Sequence, residues 1–296
     1  MRIDLHTHTR VSDGTQTPTE LVEAAVASGL DVLGLTDHDS AGGWAEAERA
    51  ASQAGLTLVR GMEVSTRHTS SWGSRGVHLL AYLPDPTYAP LDAHLQRILD
   101  GRSSRVPAML ERLRGLGIAI DIADVRRASD GTAATGRPHV ADALVALGVS
   151  GDRTEAFDRY LKPGRPAYVE RYAASLVDTI RLVREAGGVS VLAHPWGRYP
   201  SESLDRGSIA ELVELGLVGL EVDHQDHPPA QRERLRAIAR DLDLVVTGSS
   251  DHHGTGKRDH ELGVNTTAPE EYERLVELAA RSAAESGRPA PEVLAP

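Results

Sequence analysis

Two histidines separated by one residue, His6 and His8, close the first apolar run of the chain, Arg2–Leu5. On an extended segment, residues two apart project to the same side, so both imidazoles can reach one cation. The pattern recurs along the sequence. Asp37-His38 ends a run otherwise made of Val-Leu-Gly-Leu-Thr, Glu63 follows Leu58–Met62, and His194 follows Val-Ser-Val-Leu-Ala. After the run Leu244–Thr247 come Asp251, His252 and His253, of which alternation places Asp251 and His253 on one face. A charged group ending an apolar strand is costly unless it is paired or ligating. Each residue has a plain alternative: a surface pair for His6 and His8, a turn aspartate for Asp13 in Ser12-Asp13-Gly14, a strand-end cap for Asp37. These alternatives would all have to hold together at equivalent strand ends, whereas a metal centre accounts for them at once. His78 departs from the pattern because it precedes its apolar run, and a satisfied strand histidine is its alternative. Asp223-His224 also ends a strand and is a reserve ligand site, while His68, His94, His227, His252 and His260 receive no role.

Stepping outward, the elements that carry these residues read as βα units feeding a parallel sheet. Strands are expected over Arg2–Leu5, Asp31–Leu35, Thr57–Met62, Val77–Leu83, Val189–Ala193, Val218–Val222 and Leu244–Thr247. Thr17-Pro18-Thr19-Glu20 is a capping box with proline at the first helical position. From about Leu91 the rhythm becomes helical, through Leu95–Leu116, Asp121–Ala128, His139–Leu147 and Thr154–Leu161, before βα alternation returns. The expected organisation is a discontinuous α/β barrel over residues 1–98 and 166–286, an inserted helical cap over 99–165, and a flexible tail over 287–296.

The 296 residues contain no cysteine, so a metal would be held by nitrogen and oxygen donors alone. Such donors suit Mn²⁺, Fe²⁺ or Zn²⁺. A formal charge of −11 argues against broad binding to a nucleic-acid backbone, although bound cations can reverse the local field and admit an anionic substrate. The opening residues lack a signal-peptide pattern and no run of eighteen apolar residues occurs, so a cytoplasmic, non-membrane protein is expected.

The motifs His6-Thr7-His8, Ser12-Asp13-Gly14, Thr36-Asp37-His38, Gly61-Met62-Glu63, His78, Ala193-His194-Pro195 and Ser250-Asp251-His252-His253 resemble, in order, those of the PHP (polymerase and histidinol phosphatase) family. Arg137-Pro138-His139 and Tyr160-Leu161-Lys162-Pro163-Gly164 further resemble the branch acting on nucleotides and RNA 5′ ends. The resemblance implies a distorted (β/α)7, TIM-like barrel with two to three divalent ions. One ion would take His6, His8, Glu63 and Asp251; another Glu63, His78 and His194; a third Asp13, His38 and His253. It implies a metal-dependent phosphoesterase in which cations about 3.5–4 Å apart bridge a hydroxide. The substrate class is a small phosphorylated molecule, a 3′,5′-bisphosphate nucleotide or a short RNA 5′ end, with no stable protein partner expected.

Phosphate oxygens beyond the metals want arginine or lysine. Arg10, Arg137, His139, Lys162 and Arg198 are the substrate-binding candidates. Asp37, read as a supporting group, joins Arg137 and His139 as a candidate for a part in catalysis. Histidinol-phosphate phosphatase is the nearest alternative. An amidohydrolase-type C–N hydrolase would commonly need a bridging lysine at a strand end, where this chain has Glu63. A non-catalytic metal-binding module would show lost ligands, and the set here is intact.

Overall fold

The computed structural model describes residues 1–70, 73–129, 135–170, 172–197, 204–289 and 293. Among them the strands are β1 (Ile3–Thr7), β2 (Val32–Leu35), β3 (Thr57–Ser70), β4 (Gly73–Tyr82), β5 (Ala174–Ser175), β6 (Val189–Ala193), β7 (Leu217–Asp223) and β8 (Val245–Gly248). Seven of them run in the order β1-β2-β3-β4-β6-β7-β8 through one curled sheet, with β5 paired to β3. Beyond β8 the chain returns to the first strand: His8 N donates to His252 O at 2.8 Å and Thr267 N to Ile3 O at 2.9 Å.

The sheet is not all parallel. β3 and β4 form an antiparallel hairpin and β4 also lies antiparallel to β6. No crossover helix separates β3 from β4, so the chain must reverse. β3 runs on through Ser70, well past the expected end at Met62, and Glu63 therefore sits within the strand.

Local sequence explains the helices that brace the sheet. Thr17 caps helix Pro18–Ala27 in a reciprocal box with Glu20. Leu33, Leu35 and Leu58 pack with that helix and with helix Trp44–Ala54. Alternation turns Ile3, Leu5, Val32 and Val59 to a second cluster, which includes Leu275 and Ala279 of helix Pro269–Glu285. Helices Leu176–Glu185, Arg206–Glu214 and Pro229–Asp241 cover β6 and β7.

The single helix expected over Leu95–Leu116 is two, Ala89–Ser103 and Val106–Gly115, with Pro107 in the first turn of the second. Leu91, Leu95 and Ile98 of the first bury into the sheet-side core, so a boundary at 98 falls inside an element that belongs with the sheet. Val106–Gly115 joins Ile122–Ser129, Arg137–Ala146 and Arg153–Ala156, the last continuing as a π-turn over Phe157–Leu161, around a separate apolar cluster. At the expected tail, Arg288 lies over the Tyr88 ring at 4.3 Å and reaches Asp85 at 3.4 Å. Residues 290–292 and 294–296 lie outside the described set.

Candidate metal centre

The first two strand ends, the middles of β3 and β4 and the ends of β6 and β8 deliver their polar side chains to one place. Nε2 of His6 and Nε2 of His8 lie 3.0 Å apart. Glu63 Oε2 is 3.5 Å from the first and 3.3 Å from the second, and Asp251 Oδ1 is 3.5 and 3.4 Å away. Ligand bonds of about 2.0–2.2 Å around a tetrahedral ion put neighbouring donors about 3.3–3.6 Å apart, so each carboxylate oxygen stands at coordination spacing from both imidazoles, and His6, His8 and Asp251 group as one possible ligand set.

Glu63 turns its other oxygen to His78 Nδ1, at 2.6 Å, and His194 Nε2, at 3.0 Å. Its carboxylate thus faces both groups, as a bridging ligand must. On the far side of His8, Asp13 Oδ1 is 3.3 Å from His253 Nε2 and Asp13 Oδ2 is 3.7 Å from His38 Nε2. His38 is shared, because its Nδ1 is 3.0 Å from Glu63 Oε2. The antiparallel course of β4 explains His78: its strand runs the opposite way, so His78, ahead of the apolar run Leu79–Tyr82, pairs with Ala193, the last residue of β6, and with Ser65 in β3.

Backbone conformation helps to aim these groups. Asp39, His194 and Asp251 have φ of 56°, 29° and 52°, a left-handed region that such residues enter at a cost and that clusters at functional sites.

The electrostatics favour cations. Burial opposes charge on His6, but Glu221, Asp251 and Glu63 outweigh it and hold its pKa well above the usual imidazole value. His8 is likewise disfavoured by burial yet raised to about 9 by Asp251 and Glu63. Burial pushes Glu63 up, and His78, His38 and His6 more than reverse it, leaving the carboxylate well below its ordinary range. Asp13 Oδ1 and Asp251 Oδ1 are buried without a hydrogen-bond partner among the described residues. Unsatisfied buried carboxylate oxygens converging on imidazole nitrogens fit divalent ions, with oxygen and nitrogen donors throughout.

The PHP domain family model matches residues 4–126. The chain is 37% identical to the 3′,5′-nucleoside bisphosphate phosphatase of Chromobacterium violaceum over 268 residues, spanning 90% of this chain and 92% of the other. The chain belongs to the PHP domain family. Another relative, a 5′-3′ exoribonuclease of Haemophilus influenzae, is 34% identical over 85% of this chain and 90% of its own. A solved structure from Bifidobacterium adolescentis, described among the metal-dependent phosphoesterases, superposes with a TM-score of 0.87 at 37% identity, covering 93% and 96% of the two chains. This PHP protein is accordingly a hydrolase of phosphate esters.

Over the PHP centre lies a cavity of about 650 Å³. Asp13, His38, His78 and His194 line one side and Arg137, Phe157, Lys162 and Tyr168 the other. Arg137 lies over the Phe157 and Tyr168 rings, each at 5.6 Å, and Lys162 pairs with Asp158 at 2.5 Å. Three expectations need correction. Arg10 and His139 line a separate cavity of about 350 Å³; His139 Nδ1 accepts Gly136 N at 3.1 Å as a helix cap, and Arg10 Nε bonds Thr15 O at 2.8 Å. Asp37 accepts Thr9 N at 2.8 Å and the Thr9 and Ser12 hydroxyls, each at 2.6 Å, so it holds the loop that carries Asp13. Arg198 lies outside the described residues.

Sequence reasoning missed several partners. Glu221, fully buried in β7, accepts His6 Nδ1 at 2.9 Å and His194 N at 2.8 Å, and also bonds the Ser249 hydroxyl. A carboxylate on Nδ1 fixes the tautomer and leaves Nε2 free to ligate. Its signal was present, a lone glutamate inside Leu-Val-Gly-Leu-Glu-Val-Asp. His224, the reserve site, reaches Asp251 Oδ2 at 3.2 Å, beside the Lys257 ammonium that also holds that oxygen. Arg153 ties Asp142 of the helical segment to the carbonyl of Asp13, a link no motif announced.

Proposed function

We propose that this chain removes phosphate from nucleotides carrying a 3′,5′-bisphosphate, at a centre of two to three divalent ions. The observation that carries this reading is the pairing of a carboxylate–imidazole cluster with a cavity wall bearing Arg102, Arg105, Arg137 and Lys162 on a chain of charge −11. Cations concentrated in one concavity of an acidic protein select anionic substrates. The similarity to the Chromobacterium phosphatase points the same way.

In this reading His6, His8, Glu63 and Asp251 hold one ion, Glu63, His78 and His194 a second, and Asp13, His38 and His253 a third. Mn²⁺, Fe²⁺ or Zn²⁺ would supply Lewis acidity and a nucleophilic water near neutral pH. Glu221 orients His6, and Asp37 orients the Asp13 loop. Arg137 and Lys162 receive phosphate oxygens from the helical side. The segment from Val106 onward, within the span 99–165, acts as an inserted cap over the barrel, an assignment supported by its own apolar cluster and its share of the cavity lining. A cavity of about 650 Å³ is of the size that encloses a small ligand and not a folded polymer. A cytoplasmic setting without a stable protein partner completes the proposal; among the described residues no helix is long and apolar enough to cross a membrane.

A second reading, removal of nucleotides from an RNA 5′ end, is favoured by the Haemophilus relative, since a terminal phosphate can enter the same cavity. Phosphate and nucleotide release from adenosine 3′,5′-bisphosphate, short 5′-phosphorylated RNA and histidinol phosphate, assayed side by side with Mn²⁺, ranks the readings. Fastest turnover of the bisphosphate is expected; preference for histidinol phosphate would overturn the nucleotide assignment.

A further inference from the structure

One arginine joins the helical side of the cavity to two loops that carry residues of the metal centre. Arg153, the first residue of the short helix Arg153–Ala156, grips Asp142 as a fork: Nε donates to Oδ1 at 2.7 Å and Nη2 to Oδ2 at 2.6 Å. Its Nη1 donates in the other direction, to the carbonyl oxygens of Asp13 at 3.2 Å and Gly256 at 3.4 Å. A bidentate arginine–carboxylate pair fixes the plane of the guanidinium, so the position of Asp142 sets where Nη1 can hold the two carbonyls.

Both ends of this bridge lead to the site. Asp142 lies in helix Arg137–Ala146, whose first residue lines the cavity over the cluster. Asp13 belongs with His8, His38 and His253 to one possible ligand set, and its Oδ1 is buried without a hydrogen-bond partner among the described residues. Gly256 closes the turn that follows His253, its N donating to His253 O at 3.2 Å. A Cβ at residue 256 would stand 2.7 Å from Arg153 Nη1, so the guanidinium packs where the turn has no side chain. Thr15 binds the same two loops to each other, its hydroxyl donating to His253 O at 3.3 Å and accepting Thr255 N at 3.0 Å. Arg258 also reaches Asp152 at 3.1 Å, but that pair is exposed and contributes little. The helical unit has its own apolar cluster to hold it together; the Arg153 bridge adds a fixed register between the helix of Arg137 and the loops of Asp13 and His253.

We propose that Arg153 is a positioning residue that couples the ion held by Asp13, His38 and His253 to the seating of the helix that carries Arg137. The proposal rests on the reading of those three residues as an ion site and deepens it by giving the third ion a role in shaping the substrate cavity. Ligands must be held to within about 0.5 Å for an ion to bind well, and Arg153 restrains the backbone of two loops that supply them. Coupling of this kind is reciprocal: the ion steadies the helix, and the seated helix raises the affinity for the ion.

The test compares Arg153→Gln with the wild-type full chain, measuring Mn²⁺ binding by calorimetry, bound Mn²⁺ per chain, KM and kcat on adenosine 3′,5′-bisphosphate, and melting temperature. The binding step that a His253→Ala variant lacks identifies the third ion. The expected result is that Arg153→Gln weakens this step alone, about 10-fold, as for loss of a group that orients metal ligands. At saturating Mn²⁺ kcat should recover while KM stays raised about 10-fold, because the helix of Arg137 is no longer tied to the loops. Asp142→Asn, which keeps the shape and weakens the fork, shifts both quantities in the same direction by less, and carries the test alone if Arg153→Gln does not fold. Wild-type Mn²⁺ binding with only melting lowered would overturn the proposal and leave Arg153 as a tie between elements. A weakened third step with unchanged KM would overturn the coupling to the helix, and an isotherm that His253→Ala leaves unaltered would overturn the ion site beneath it. Wild-type protein that binds Mn²⁺ but turns over no phosphoester would overturn the proposed function instead, and the Mn²⁺ isotherms would still decide the role of Arg153 at the third ion.

Discussion

Nε2 of His6 and Nε2 of His8 face each other across 3.0 Å, with Glu63 Oε2 and Asp251 Oδ1 completing the four-atom cage. At most one of the two nitrogens can donate to the other, and two imidazolium rings would repel. A divalent cation between the two nitrogens would relieve this and take a carboxylate oxygen as well. Stripping metal with a chelator should therefore abolish turnover and lower the melting temperature by roughly 5 °C or more, since an ion that binds only the folded chain stabilises it by mass action. Calorimetry with and without Mn²⁺ checks this; identical melting in both states would contradict the cage.

Glu221→Gln tests the carboxylate behind His6. The amide keeps the shape and removes the charge that favours an Nδ1–H tautomer, so metal affinity should fall about 10–100-fold. Turnover should return at high Mn²⁺. A deficit that persists at saturating metal would mean that Glu221 acts on the reaction itself.

Asp37→Asn separates support from catalysis. With Thr9 and Ser12 filling the carboxylate, the substitution should loosen the Asp13 loop and lower activity about 10-fold through incomplete metal occupancy. A loss of about 10³-fold at full metal content would restore Asp37 as a catalytic group.

Gly14→Ala tests the loop that carries Asp13. A Cβ there would lie 2.5 Å from His8 O and 2.8 Å from His8 C, both backbone atoms, so either the loop or β1 must move. A destabilisation of about 1–3 kcal/mol is expected, with reduced occupancy of the site that includes Asp13. Denaturant unfolding and metal analysis measure the two effects.

The positions that converge in the cluster were legible because polar residues at the ends of apolar runs are conspicuous, and the capping box at Thr17 fixed its helix from local chemistry alone. Strand direction was not legible. The run around Val77 reads the same whether it lies parallel or antiparallel, so His78 looked misplaced until the hairpin with β3 turned it round. Arg10 was expected at the substrate by nearness to the first motif and His139 by the resemblance of its own turn, and the fold faces both into another cavity. Arg102 and Arg153 escaped notice because their partners, Asp39 and Asp142, lie far away or in a different element, and such pairings leave no spacing signal.

The most direct test of the central claim is phosphate release from adenosine 3′,5′-bisphosphate by Mn²⁺-loaded protein, beside a His6→Ala/His8→Ala variant whose fold is checked by circular dichroism. The account predicts turnover by the wild type and a loss of at least about 10³-fold in the variant, as removal of a metal centre requires. No release by fully metallated wild type would contradict it and favour a C–N hydrolase or a binding module.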